Sequence, residues 1–496
     1  PITSTHDILN AFDGITYSKG GAVLAMFERY LGAEVFQKGV QQYLAAHAFA
    51  NATSEDFLDA ESAAAGKDVR TPFFTFLTQV GVPLVKASVN CEPNAAHLEL
   101  EQSRYLPLGS KGAAASAGQL WQIPVCARYA SGGSIHETCT LLTEAKGKLP
   151  FDGGACPSWV MPNADAAGYY RFTLPPADLD KLRSAGWKQL TPRERVSIAE
   201  ALHAGFASGT LDAKSVFDAF PALIADDDRD VVEVPMQLLR FAHDELVTEA
   251  QRPAVEARAR KLYEVKQGRL GFHERPGEDG ETKLLRASLL SFVADVGRDP
   301  AVRKRAQSQG KRYLGLGAGD KLHPEAVDSD LADLAVRMVA EDGDDATWDT
   351  LYKRFVATTE PALRARLLRA LCSVRDARSS KALALALDPA LHVNEVLVPL
   401  YVQVGDPRTR DAAWQWLEQN FDALTARLSS NGAGHTPGLA ASFCREDMIG
   451  RAQTFFGPRV EKLSGGPRSL ADAIESLEIC VAQVKAHGPG VQALFP

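Results

Sequence analysis

The hydrophobic period of this chain changes twice, and those changes limit its architecture more than any single motif does. Up to about residue 84 apolar side chains recur every three or four positions. From Val85 to about Leu174 they alternate, and from about Asp178 onward the helical period returns. The expectation is a mainly α chain with a small β-sandwich in three parts. Residues 1–84 are helical, 85–176 form the sandwich and 177–496 form an α-helical, HEAT-like superhelix. A length of 496 residues agrees, since a chain this long outgrows one core and suggests roughly three domains.

Local signals refine the first part. Tyr17 to Leu31 puts Val23, Leu24, Phe27 and Leu31 on one helical face, with Gly32 as the stop. Phe36, Val40, Tyr43, Leu44 and His47 repeat the period, and Thr53 with Asp56 has capping-box spacing for a helix ending near Gly66. Thr71-Pro72 is expected to be an N-cap followed by proline at the first helical position. In the β region "HLELEQSRYL" sets Leu98 and Leu100 against His97, Glu99 and Glu101, while "FDGGACP" and "GSKGAAASAG" supply turns. Beyond it, Thr191 caps a helix that starts with Pro192 and carries Val196, Ile198, Leu202 and Phe206 inside. Similar units recur at 211–224, 229–246, 360–373 and 468–486.

Composition excludes several classes of function. The net charge is −8 with both signs interleaved, which leaves neither a nucleic-acid stripe nor a polybasic membrane patch. No stretch approaches the roughly 18–20 apolar residues of a membrane span. The eleven histidines include no i, i+4 pair for zinc, and "HETC" at 136–139 lacks the second histidine of HExxH. There is no phosphate loop, dinucleotide fingerprint or nucleophile elbow. Four of the seven cysteines, Cys91, Cys126, Cys139 and Cys156, fall in the β region without a CxxC pair. Cross-strand bridges such as Cys91–Cys126 and Cys139–Cys156 are open to them, as is simple burial. Their clustering leans toward a secreted or periplasmic setting.

Several stretches, in order, resemble one family. "DILNAFDGITYSKGGAVLAMFERYLG" is similar to the segment that follows the metal site in M1-family zinc metallopeptidases, the aminopeptidase N group. "FFTFLTQVGVPLV", "LELEQSRYLP", "WQIPVCARY" and "CPSWVMPNADAAGYYRFTL" resemble the end of that family's thermolysin-like catalytic domain and its β-sandwich. "FFGPRVEKLSGGPRSLADAIESLEICVAQV" resembles the close of its helical superhelix. The resemblance implies that Tyr17 is catalytic, its hydroxyl stabilising the tetrahedral intermediate formed when zinc-bound water attacks a peptide carbonyl. A phenol, with a pKa of about 10, is a neutral donor at pH 7 and suits that role. Phe12 matches a position that walls the pocket for the substrate's first side chain, though spacing alone also makes it a core partner of Ile8. Gly20 and Gly21 are expected to allow close backbone packing. Lys19, Tyr169, Tyr170 and Arg171 read as structural.

The family's HExxH motif, its third zinc ligand and its GxMEN amine-binding loop are not among these residues. The resemblance therefore implies zinc in the complete enzyme, with its ligands outside this chain and no metal-binding residue within it. It also implies peptide substrates and an upstream zinc-binding portion as partner, without which the chain is expected to be inactive. The competing expectations are a non-catalytic scaffold that holds peptides on a helical surface, and a pseudoenzyme.

Overall fold

A computed structural model describes residues 15–112, 118–317, 319 and 321–496. The chain divides into two compact units, residues up to 107 with 111–211, and 108–110 with 212–496. The chain is mainly helical with two small sheets, as its periods require. No described helix is long and apolar enough to cross a membrane.

The first unit opens with α1 (Gly20–Leu31), α2 (Ala33–Ala46), α3 (Ser54–Ala65) and α4 (Arg70–Thr78). Gly32 separates α1 from α2 at φ +86°, a value that needs a glycine, and its N–H still bonds the carbonyl of Glu28. Val23, Met26 and Phe27 form the buried stripe of α1, whereas Leu24 faces outward. Leu44 of α2 is likewise exposed. Thr53 and Asp56 complete a reciprocal capping box on α3. Thr71 does not cap α4, contrary to expectation. That helix already begins at Arg70, and the Asp68 carboxylate takes the N–H of Thr71 at 3.0 Å. One carboxylate is buried without a partner: Glu61 on α3 is 1% exposed and neither oxygen is hydrogen-bonded. Gly39 of α2 makes room for it, because a β-carbon there would stand 2.5 Å from the carboxyl group.

Seven strands follow: β1 (Pro83–Asn90), β2 (His97–Arg104), β3 (Ile123–Ser131), β4 (Ser134–Leu142), β5 (Lys146–Pro150), β6 (Trp159–Met161) and β7 (Arg171–Thr173). They form a sheet in the order β5-β2-β1-β7 and another in the order β4-β3-β6. Val85, Ala87, Leu98 and Leu100 from one sheet share a core with Val125, Ala127, Tyr129 and Trp159 from the other, and with Phe27 and Phe76 of the helices. Burying side chains from two facing sheets is what fixes their register. Gln102 is polar yet 5% exposed, and it is satisfied there. Its amide donates to the carbonyls of Trp121 and Glu144, while its oxygen accepts the N–H of Trp121 at 2.9 Å.

The sandwich disulfides are Cys91–Cys156 and Cys126–Cys139, not the pairs named from sequence. Register explains the second: Cys126 and Cys139 stand directly opposite on β3 and β4. The helix Pro192–Ala207 joins this unit through its capping box. Glu194, fully buried, caps Thr191, accepts the N–H of Asp165 and pairs with Arg128.

In the second unit helices contact partners one and two places along the chain: Pro300–Tyr313 with Ala332–Glu341, Ala332–Glu341 with Pro361–Cys372, and Pro361–Cys372 with Val398–Val404. This is the layering of helical repeats. Asp212, Asp228, Asp279, Asp299 and Asp344 each cap the helix that follows them, so those turns restart the next helix. Layers are tied by ion pairs around Glu341, whose side chain is little exposed and meets Arg303 at 3.0 Å and Arg337 and Arg375 at 3.2 Å. The third disulfide, Cys444–Cys480, holds the last helix, Gly466–Leu494, and leaves Cys372 as a buried thiol.

Candidate functional site

Tyr17 lies in a widened helical turn, Ile15–Lys19, that runs without a break into α1. Such π-type turns interrupt the regular ladder and are frequent at functional sites. The side chain is 67% exposed, so it is not the half-buried packing tyrosine that its position suggests without the family resemblance. No described residue hydrogen-bonds its hydroxyl.

The turn is positioned by what lies on either side of it. Lys19 donates through Nζ to the carbonyl of Gln79 at 3.4 Å, and partial burial lowers its pKa. About two turns further on, Phe27 packs on Phe73 at 5.0 Å between ring centres and edge-on against Phe76. Met26 accepts the N–H of Tyr169 on its sulfur at 3.3 Å. Three core contacts on α1 thus hold the helix whose head carries Tyr17. Gly20 and Gly21 do not pack as expected: a β-carbon at either position would meet nothing within 4 Å. Their value to this segment is not close approach among the described residues. Phe12 lies outside the described residues.

Tyr170 is structural: it is 6% exposed and donates to the carbonyl of Pro162 at 2.8 Å. Tyr169 stacks edge-on with Phe76, and Arg171 pairs with Glu200 at 3.5 Å.

The zinc implied by the resemblance does not fit the described residues. Among them one set of three donors converges, Cys126, Glu137 and Cys139. Its two sulfurs form a disulfide, and a zinc ligand must be a thiolate. Glu137 is held by Arg29, whose Nε lies 2.9 Å from it. What the arrangement around Tyr17 supplies is one exposed hydroxyl, bonded by no described residue, at the head of an anchored helix. Sequence period could not have revealed this, because a tyrosine at a helix start reads equally well as packing.

Comparison with known proteins agrees with the motif order. The family described as "ERAP1-like C-terminal domain" matches residues 159–479, and "Peptidase family M1 domain" matches residues 1–76. Aminopeptidase 2 of Candida albicans is 26% identical over 495 residues, covering 98% of this chain and 51% of that protein. Aminopeptidase M1 of Arabidopsis thaliana is 27% identical, covering 95% and 54%. Glutamyl aminopeptidase of Rattus norvegicus is 23% identical, covering 100% and 51%. The chain spans about half the length of the curated relatives it matches.

Proposed function

The chain belongs to the M1 peptidase family, and from that premise we propose that it is the C-terminal portion of a zinc-dependent aminopeptidase, with Tyr17 as its transition-state donor. The complete enzyme removes N-terminal residues from peptides. Its metal is held by an upstream portion, which this chain must join to be active. In that assembly Tyr17 donates its O–H to the oxyanion that develops on the scissile carbonyl, Phe12 walls the pocket for the first side chain, and the helical part covers the substrate.

One observation carries the assignment of Tyr17. Its hydroxyl is exposed and bonded by no described residue, at the head of a helix that three packing contacts hold in place. A donor fixed before the reaction costs no reorganisation when charge develops, which is the basis of oxyanion stabilisation.

The test is Tyr17→Phe in the enzyme assembled from this chain and its zinc-bearing portion. Turnover on an aminoacyl amide should fall about 10²–10³-fold, the usual effect of losing one oxyanion donor, with KM changed far less. Turnover within a factor of about three of the parent would remove Tyr17 from the mechanism.

A further inference from the structure

The connection between α2 and α3 holds the chain's one Asn-X-Ser/Thr triplet, Asn51-Ala52-Thr53. Such a triplet is the acceptor sequence for N-linked oligosaccharides, which need a surface segment. Residues 47–53 lie outside both helices, and Asn51, Ala52 and Thr53 are all exposed. No described residue hydrogen-bonds the Asn51 carboxamide. The chain also carries three disulfides, and disulfides persist in oxidising compartments, among them the one where these sugars are attached.

What distinguishes this triplet is Phe49, two residues before the asparagine. Its side chain is 110% exposed, and its backbone stands at φ +57°, a left-handed value that strains a bulky residue. A turn closes around it, with the N–H of Ala50 bonded to the carbonyl of His47 at 3.1 Å. The chain thus holds a bare aromatic ring in a strained turn, away from its own core. Phe49 and Asn51 lie at most about 7 Å apart at Cα, which puts the ring within reach of a sugar on the Asn51 side chain. A pyranose presents a face of C–H groups, and laying that face on an aromatic ring removes apolar surface of both from water.

We propose that Asn51 is an N-glycosylation site and that its first N-acetylglucosamine packs on the Phe49 ring. The donor is a polyprenyl-diphosphate-linked oligosaccharide. Nδ2 of Asn51 bonds to C1 of the sugar as the C1–O bond to the diphosphate breaks. The nitrogen loses one proton and the polyprenyl diphosphate leaves. The transfer precedes the folding of α3, because the triplet requires a hydroxyl at its third position. In the folded chain that hydroxyl is the helix cap: Thr53 Oγ1 accepts the N–H of Asp56 at 3.2 Å and donates to its carboxylate at 2.8 Å. This site stands without the aminopeptidase assignment.

The test is translation of the full 496-residue chain, behind a secretory signal, in the presence of endoplasmic-reticulum microsomes. The parent should gain one glycan that peptide N-glycosidase removes, leaving aspartate at that position. Asn51→Gln should gain none, and neither should Thr53→Asp, which keeps a capping oxygen while removing the hydroxyl. A second measurement, on glycoprotein purified from secreting eukaryotic cells, reads the packing. Removing the glycan should speed hydrogen exchange of amides across residues 47–58 about threefold in the parent and leave Phe49→Ala unchanged. Alanine keeps the left-handed backbone and lacks the ring, and an exposed ring takes no core contact with it. An unmodified parent, or a glycan that persists in Asn51→Gln, overturns the site. An equal loss of protection in the parent and in Phe49→Ala overturns the packing.

Discussion

Replacing Glu61 with glutamine should remove a pH dependence from the stability of the first helices. The carboxylate is enclosed between α3 and the backbone of α2 at Gly39, with no hydrogen bond to either oxygen. Burial raises its pKa from 4.5 to about 7. At 1.36 kcal/mol per unit, that shift corresponds to at most about 3 kcal/mol of penalty on the charged form. Screening by solvent reduces that penalty to about 1–2 kcal/mol. The sign follows from proton binding. Between pH 4.5 and about 7 the folded state holds more protons than the unfolded state, so stability falls as pH rises through that window and levels off above it. Glutamine has nearly the same shape and no charge, and a buried amide and a buried protonated carboxyl both lack partners here. The offset between parent and variant is therefore less informative than its change with pH. Hydrogen exchange of amides across residues 33–65, taken as a variant-to-parent ratio at each pH, reads the local opening energy. Glu61→Gln should gain about tenfold in protection between pH 4.5 and pH 8 relative to the parent. A ratio that does not change with pH, or that changes in the opposite direction, refutes the burial argument.

Two further perturbations test the packing. Thiol titration without reductant should find one thiol per chain in denaturant and none in the native state, because Cys372 is fully buried and burial drives its pKa upward; three, five or seven thiols would mean that bridges are missing. Gly310→Ala should destabilise the second unit by about 1–3 kcal/mol in urea unfolding, since the added carbon would overlap the backbone carbonyl of Ala335, whereas Gly268→Ala, in open space within the helix Arg252–Leu270, should stabilise by up to about 1 kcal/mol.

Much of the fold was legible because its signals are local. The boxes at Thr53 and Thr191 mark helix starts within four residues of sequence, and alternation around Leu98 and Leu100 marks a strand by itself. Where two local signals compete, the reading slipped. Pro72 suggested a start at Thr71, but Asp68 reaches the Thr71 N–H and the helix begins earlier. Leu24 and Leu44 fit the helical period, yet neither side is chosen until Met26 and Gly39 claim the inner face. Partnerships across long separations were not legible at all. The disulfide pairing waits on the register of β3 against β4. The arginines around Glu341 come from residues 303, 337 and 375, each alone an ordinary surface charge.

Two tyrosines of the first unit separate folding from chemistry. Tyr170 is buried, burial raises its pKa strongly, and its hydroxyl answers the carbonyl of Pro162. Removing that hydroxyl leaves a buried acceptor unmet, so Tyr170→Phe should cost about 1–3 kcal/mol of stability. Tyr17 differs from it in both respects, being exposed and making no such bond. Tyr17→Phe therefore deletes one oxygen that no described residue bonds, and its melting transition should match the parent's. With Tyr170→Phe as the destabilised control, a turnover loss confined to Tyr17→Phe must arise at the reacting carbonyl. A parallel loss in both variants would instead trace the effect to the helix and sandwich core that they share.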